Sequence, residues 1–309
     1  MKIKRSSGIL MHITSLPGKH GIGTMGKPMS LNLIKAGFPL IAYDINPKPL
    51  EELRGKGAAI GHSSKEIASQ SDIIITMLPN SGDVEKAILG ENGVIEGVKS
   101  DAIVIDMSTI DPSISRKMAQ ILLSKKIKML DAPVSGGQPR AETGTLSIMV
   151  GGDEDIFHAC EDIFKAMGKN IFYCGPNGNG EVVKIVNNLL TGTAAIISAE
   201  ALAMGVKAGV DFKVLFDVIS VSTGQTDFIK AACPAKAFKG DFEPGFMVDL
   251  MVKDLGLAMT LAKEQGVPLL MGGLSYQTFS HLKASGLGKK DWSITMKTFE
   301  DLLNIKLRF

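Results

Sequence analysis

The chain has 309 residues, a length that predicts about two domains. Apolar residues make up 45% and charged residues 21%, so cores can form and the composition of a disordered chain is excluded. The net charge of +2 offers no reason to expect nucleic acid as a partner.

Three widely separated cysteines (Cys160, Cys174, Cys233) argue against a disulfide framework and for a reducing, cytoplasmic setting. No unbroken apolar run reaches the roughly 18 residues of a membrane span, and the N-terminus shows no secretory apolar core. The expectation is a soluble enzyme or ligand binder with no membrane partner.

In chain order, short apolar runs alternate with mixed segments up to about residue 175. The runs are 40–43, 73–78, 103–107, 129–134, 147–150 and 171–174, most of them rich in Ile and Val as strands covered on both faces must be. Ser63-Ser64 and Asp111-Pro112 are helix-start signals between them. Strands alternating with helices predict a parallel sheet. Residues 175–180, Gly-Pro-Asn-Gly-Asn-Gly, mark a boundary, giving domains 1–176 and 177–309. Beyond it, one long apolar helix is predicted from Glu181 to about Gly209, then helices near 211–222, 225–237, 249–265, 272–285 and 291–304.

Gly21-Ile22-Gly23-Thr24-Met25-Gly26 matches G-x-G-x-x-G, whose glycines permit a tight turn, close approach to a pyrophosphate and close helix packing. Asp44 ends the next apolar run, 18 residues after Gly26. A carboxylate there can accept both ribose hydroxyls and repels a 2′-phosphate, which favours NAD over NADP. The residues before the loop fit less well. The motif belongs directly after a strand, yet Pro17 and Gly18 precede it, and the strand-like run Ile9–Ile13 lies several residues early. Residues 5–18 resemble the opening of 4-α-glucanotransferases, a likeness confined to about the first 23 positions. It implies a seam at the glycine loop and leaves the first strand open.

Three stretches carry chemistry. Asp131-Ala132-Pro133-Val134-Ser135-Gly136-Gly137 exposes a hydroxyl and successive N–H groups suited to a carboxylate. Gly180–Asn188 places Lys184 and Asn188 four residues apart on one helix face, with Thr191 extending the polar stripe. Such residues on a buried helix need a wet pocket or partners. Desolvation lowers a lysine's pKa and lets it exchange a proton with an alcohol near neutral pH. In the third stretch Lys253 precedes Asp254, which is expected to anchor its helix. The five histidines show no ligand spacing, so no metal site is expected.

The four ordered motifs GIGTMG, DAPVSGG, GNGEVVKIVNN and KDLGLA resemble those of the β-hydroxyacid dehydrogenase family over residues 21 to about 300. The resemblance implies an α/β Rossmann-type N-terminal domain and an all-α C-terminal domain joined by a long interdomain helix, assembled as homodimers or homotetramers. It also implies Lys184 as general acid/base, Ser135, Gly136, Gly137 and Asn188 as substrate ligands, and Lys253 beside nicotinamide and substrate. Leu78, Pro79 and Thr109 match loops bordering the cofactor. The substrate class is a small hydroxy acid or its semialdehyde. Residues 74–81 and 89–93 are most similar to tartronate semialdehyde reductases, which makes that reaction the first expectation; 183–190 are more similar to 2-(hydroxymethyl)glutarate dehydrogenases, and that activity or 3-hydroxyisobutyrate dehydrogenase is the alternative. The rival readings are a non-catalytic nucleotide-binding homologue and a chimera with an empty cofactor half.

Overall fold

The computed structural model describes residues 9–13 and 24–309. The chain divides into two compact units, one ending at Lys184 and one running from Ile185 to Phe309.

The first unit contains a six-stranded parallel sheet of β1 (Ile9–Ile13), β2 (Leu40–Tyr43), β3 (Ala59–Ile60), β4 (Ile73–Met77), β5 (Ile103–Asp106) and β6 (Lys128–Asp131). Its order, β3-β2-β1-β4-β5-β6, is that of dinucleotide-binding sheets. Alternation along β4 and β5 explains their apolar runs. Ile73, Ile75, Ile103 and Ile105 enter one buried cluster, and Ile74 and Val104 enter another.

The run that seemed too early is the first strand. β1 pairs with β2 from Ile9↔Leu40 and with β4 from Ile9↔Ile73. Residues 14–25 separate its end from the helix Gly26–Lys35. The glucanotransferase-like stretch lies, apart from 9–13, outside the described residues.

The predicted run 129–134 is broken by Pro133, which has no N–H to donate to a ladder. The chain leaves β6 at Asp131 and enters a second sheet as β7 (Val134–Ser135). β7 pairs antiparallel with β8 (Leu146–Val150), which pairs parallel with β9 (Gly168–Tyr173). The expected helix starts are present. Ser63 Oγ accepts from Glu66 N at 3.1 Å, and Asp111 Oδ1 accepts from Ser113 N at 2.8 Å, with Pro112 in the first turn.

The long helix runs Asn179–Lys207. By length and mean hydropathy (1.6) it could cross a membrane, although Ser198 and Glu200 interrupt its apolar run. Its Ala195, Ala199, Leu202 and Ala203 are instead buried in the core of the second unit. That unit continues with helices Phe212–Ile219, Val248–Gln265, Leu270–Leu282 and Ile294–Leu303. The helix expected over 225–237 is a π turn at Phe228–Ala232 and one turn at Cys233–Ala235, followed by a 3-10 turn. Pro234 lacks the N–H that would continue it.

Candidate active site

Of the glycine loop, Gly21, Ile22 and Gly23 lie outside the described residues. Thr24 and Met25 are half-buried, and buried Gly26 opens its helix. That helix has no side-chain cap and no acidic residue in its first turn. Its first N–H groups and positive dipole end suit a phosphate.

Asp44 follows β2 and is buried. Its Oδ1 accepts from Asn46 N at 2.6 Å, whereas Oδ2 is buried without a hydrogen-bond partner. Burial pushes its pKa up to about 7. A carboxylate oxygen left unsatisfied in the interior is costly unless a donor arrives. The two hydroxyls of an adenosine ribose are such donors, so the residues present fit a dinucleotide.

The loops after β4 and β5 are tied together by Asp106, a residue the sequence reading passed over. Its Oδ1 accepts from Thr76 Oγ1 at 2.7 Å and from Ser108 through Oγ at 2.6 Å and N at 3.2 Å. Ser108 Oγ in turn accepts from Leu78 N at 2.8 Å. Leu78 is buried, while Pro79 next to it and Thr109 next to Ser108 are half-buried. Desolvation raises the Asp106 pKa to about 6 despite the three donors. The sequence signal is an acid that closes an all-buried strand with one residue between it and a Ser-Thr pair.

Ser135 closes β7, and Gly136 and Gly137 follow with φ of +129° and +62°. Side chains rarely take these angles, and a Cβ on Gly136 would collide with the Arg140 side chain. The glycines are therefore a backbone requirement, and the turn they make keeps Ser135 half-exposed.

Lys184 and Asn188 are only 8% and 5% exposed, one turn apart on the long helix. The start of this helix is fixed by Asp131, whose oxygens accept from Gly178 N at 2.7 Å and Glu181 N at 3.1 Å. Glu181, wholly buried, accepts from Ile110 N at 3.1 Å. In the second unit, Asn188 Nδ2 donates to Asp254 Oδ2 at 2.5 Å, and Lys253 Nζ stands 3.0 Å from Asp254 Oδ1. Asp254 does more than anchor its helix: it joins the two predicted ligands Asn188 and Lys253. Asn187 Nδ2 completes the group by donating to Asn188 Oδ1 at 3.0 Å. Among the described residues no cluster of His, Cys, Asp or Glu could hold a metal.

Two family models match the chain. The NAD-binding domain of 6-phosphogluconate dehydrogenase covers residues 18–175, and the NAD-binding domain of NADP-dependent 3-hydroxyisobutyrate dehydrogenase covers 178–299. The chain is 40% identical over 287 residues to 2-(hydroxymethyl)glutarate dehydrogenase of Eubacterium barkeri, covering 93% of this chain and 95% of that one. It is 42% identical over 281 residues to a probable mitochondrial 3-hydroxyisobutyrate dehydrogenase of Dictyostelium discoideum, covering 89% and 87%. A solved structure of Mycobacterium tuberculosis 3-hydroxyisobutyrate dehydrogenase with L-serine superposes with a TM-score of 0.85 at 31% identity, covering 95% and 99%. The chain belongs to the β-hydroxyacid dehydrogenase family of NAD-dependent oxidoreductases acting on CH–OH groups.

Proposed function

We propose that the protein interconverts a short 3-hydroxy acid, HOCH2–CH(R)–COO−, and its semialdehyde, with Lys184 as the acid/base. The observation that carries the reading is a lysine held 8% exposed, one turn from a buried asparagine on a helix tied to the sheet. When bound, nicotinamide supplies the hydride acceptor or donor. Lys184 takes the hydroxyl proton during oxidation and returns it during reduction. Asn188, held by Asp254, orients the oxygen, and Ser135, Gly136 and Gly137 hold the carboxylate. Leu78, Pro79, Thr109 and Lys253 border the cofactor.

Asp44 supports NAD as the working cofactor, since its carboxylate repels a 2′-phosphate. The central place of β1 in the sheet supports a cofactor half that is complete, against a chimera with an empty one. The names of the relatives favour R as methyl or carboxyethyl; tartronate semialdehyde, favoured by residues 74–81, is the third choice. A panel of 3-hydroxyisobutyrate, 2-(hydroxymethyl)glutarate, glycerate and L-serine with NAD+ and NADP+ tests the reading. Turnover of one of these faster with NAD+ supports it, and no oxidation of any of the four with either cofactor contradicts it.

The long helix also carries exposed Leu190, Ile197 and Met204 at a seven-residue spacing. A seam of that period suits another helix, and a second copy of this chain is the proposed occupant, giving a homo-oligomer. Leu190→Glu with Ile197→Glu is expected to yield monomers by light scattering. An unchanged mass would exclude this face from the interface. Free cysteines at 160, 174 and 233 agree with a cytoplasmic setting.

A further inference from the structure

We propose that Asp131 is a positioning residue for Lys184: from the end of β6 it holds the first turn of the long helix and so sets where the lysine nitrogen stands. The inference rests on the reading of Lys184 as acid/base for its kinetic consequence, but not for its geometric one.

The first N–H groups of any helix lack intrahelical partners. A serine or asparagine at the helix's own N-cap would satisfy them locally and leave the helix free of the sheet. Here the acceptor comes from a strand 47 and 50 residues away in sequence, with one oxygen on Gly178 N and the other on Glu181 N. The negative carboxylate also meets the positive end of the helix dipole.

The surroundings are built to keep that carboxylate still. Asp131 is wholly buried, and its backbone exchanges hydrogen bonds with Gly151 at 3.0 and 2.7 Å. A Cβ on Gly151 would lie 2.7 Å from both carboxylate oxygens, and one on Gly180 would lie 2.9 Å from the Asp131 carbonyl oxygen. Two glycines thus line the space around Asp131, and neither position accepts a side chain. Glu181 carries the constraint further by accepting from Ile110 N, next to Thr109 on the loop after β5. Lys184 follows Glu181 by three residues, less than one turn. A misplacement of about 1 Å at a reacting group costs on the order of a hundredfold in rate.

The test uses Asp131→Asn and Gly151→Ala in the full chain. An amide can accept on one side only, so one of the two N–H groups faces an NH2. The alanine methyl presses both oxygens of the same carboxylate and the Gly180 nitrogen of the helix's first turn. Four quantities are read: kcat, the NADH Kd by fluorescence, the melting temperature, and the acetylation rate of Lys184 by peptide mass spectrometry. Lys65 and Lys117, on other elements of the first unit, serve as references.

The expected result in both variants is a kcat lower by about tenfold to a hundredfold, with the Kd for NADH within about threefold. Lys184 acetylation rises at least about threefold while the reference lysines are unchanged. Unchanged Lys184 labelling in folded variants overturns the proposal. So does labelling that rises equally at all three lysines, which marks general loosening, and so does a kcat that holds while labelling rises. If Lys184→Ala itself keeps wild-type turnover, the acid/base reading fails separately, and the labelling alone decides the role of Asp131.

Discussion

Asn188 and Asp254, 66 residues apart in sequence, are joined by a 2.5 Å hydrogen bond from Nδ2 to Oδ2. Because Lys253 stands 3.0 Å from the other oxygen, one carboxylate orders an amide and an ammonium together. Asp254→Ala would remove the acceptor of Asn188 Nδ2 and the carboxylate beside Lys253, while the bond from Asn187 to Asn188 Oδ1 remains. The expected outcome is a substrate kcat/KM lower by up to about a hundredfold, the scale of a site group displaced by about 1 Å. Steady-state kinetics checks this, and a kcat/KM within twofold of wild type would contradict it.

Asp44 should make cofactor binding depend on pH. Its pKa is pushed up to about 7 by burial, and only the carboxylate can accept both hydroxyls of a diol. Binding therefore favours the ionised form and weakens as pH falls below 7, by up to about tenfold per unit. Titration of NADH fluorescence between pH 5.5 and 8.5 should show this slope. Asp44→Asn should flatten it and narrow the preference for NADH over NADPH.

Asp106 predicts the opposite sense for stability of the free protein. Its pKa in the fold, about 6, lies above the ordinary 3.8, so the folded state holds the proton more tightly. The stability this proton supplies is complete below about pH 4 and lost as pH rises through 6, up to about 3 kcal/mol. Asp106→Asn keeps an oxygen for Thr76 and Ser108 and removes the titration. Melting curves should show the variant gaining on wild type between pH 4 and 6 and holding that gain above. A difference independent of pH would contradict the assignment.

Much of this architecture was legible in the sequence because apolar runs and turn formers report local requirements. The runs at 73–78 and 103–107 read as strands since both sheet faces are covered. The start signals at Ser63 and Asp111 act within their own turns. The misread portions depend on distant partners. Ile9–Ile13 seemed misplaced because the spacing to the glycine loop is unusual, and only its pairing with Leu40 and Ile73 identifies it as the central strand. Lys184, Asn188 and Lys253 stood out as polar residues within motifs. The carboxylates that hold their surroundings, Asp131, Glu181 and Asp254, reach partners 47 to 71 residues away, which no local spacing reveals.

Gly180 gives a prediction that runs against helix propensity. In an exposed helix interior, Gly→Ala gains about 1 kcal/mol. At position 180 the new Cβ would meet the Met149 carbonyl oxygen and lie 2.9 Å from that of Asp131. Gly180→Ala is therefore expected to lose about 1–3 kcal/mol, as overpacked sites do. Thermal melts decide it, and an unchanged or higher melting temperature would contradict the close approach of this helix to β6 and β8.

The most direct measurement is on Lys184→Ala, combining NADH titration, a melting curve and turnover of whichever hydroxy acid the wild type oxidises. Loss of one general acid/base is expected to lower kcat by about a hundredfold to ten-thousandfold, with NADH affinity and melting temperature close to wild type. A folded, NADH-binding variant that keeps its turnover would contradict the assignment of proton transfer to this lysine.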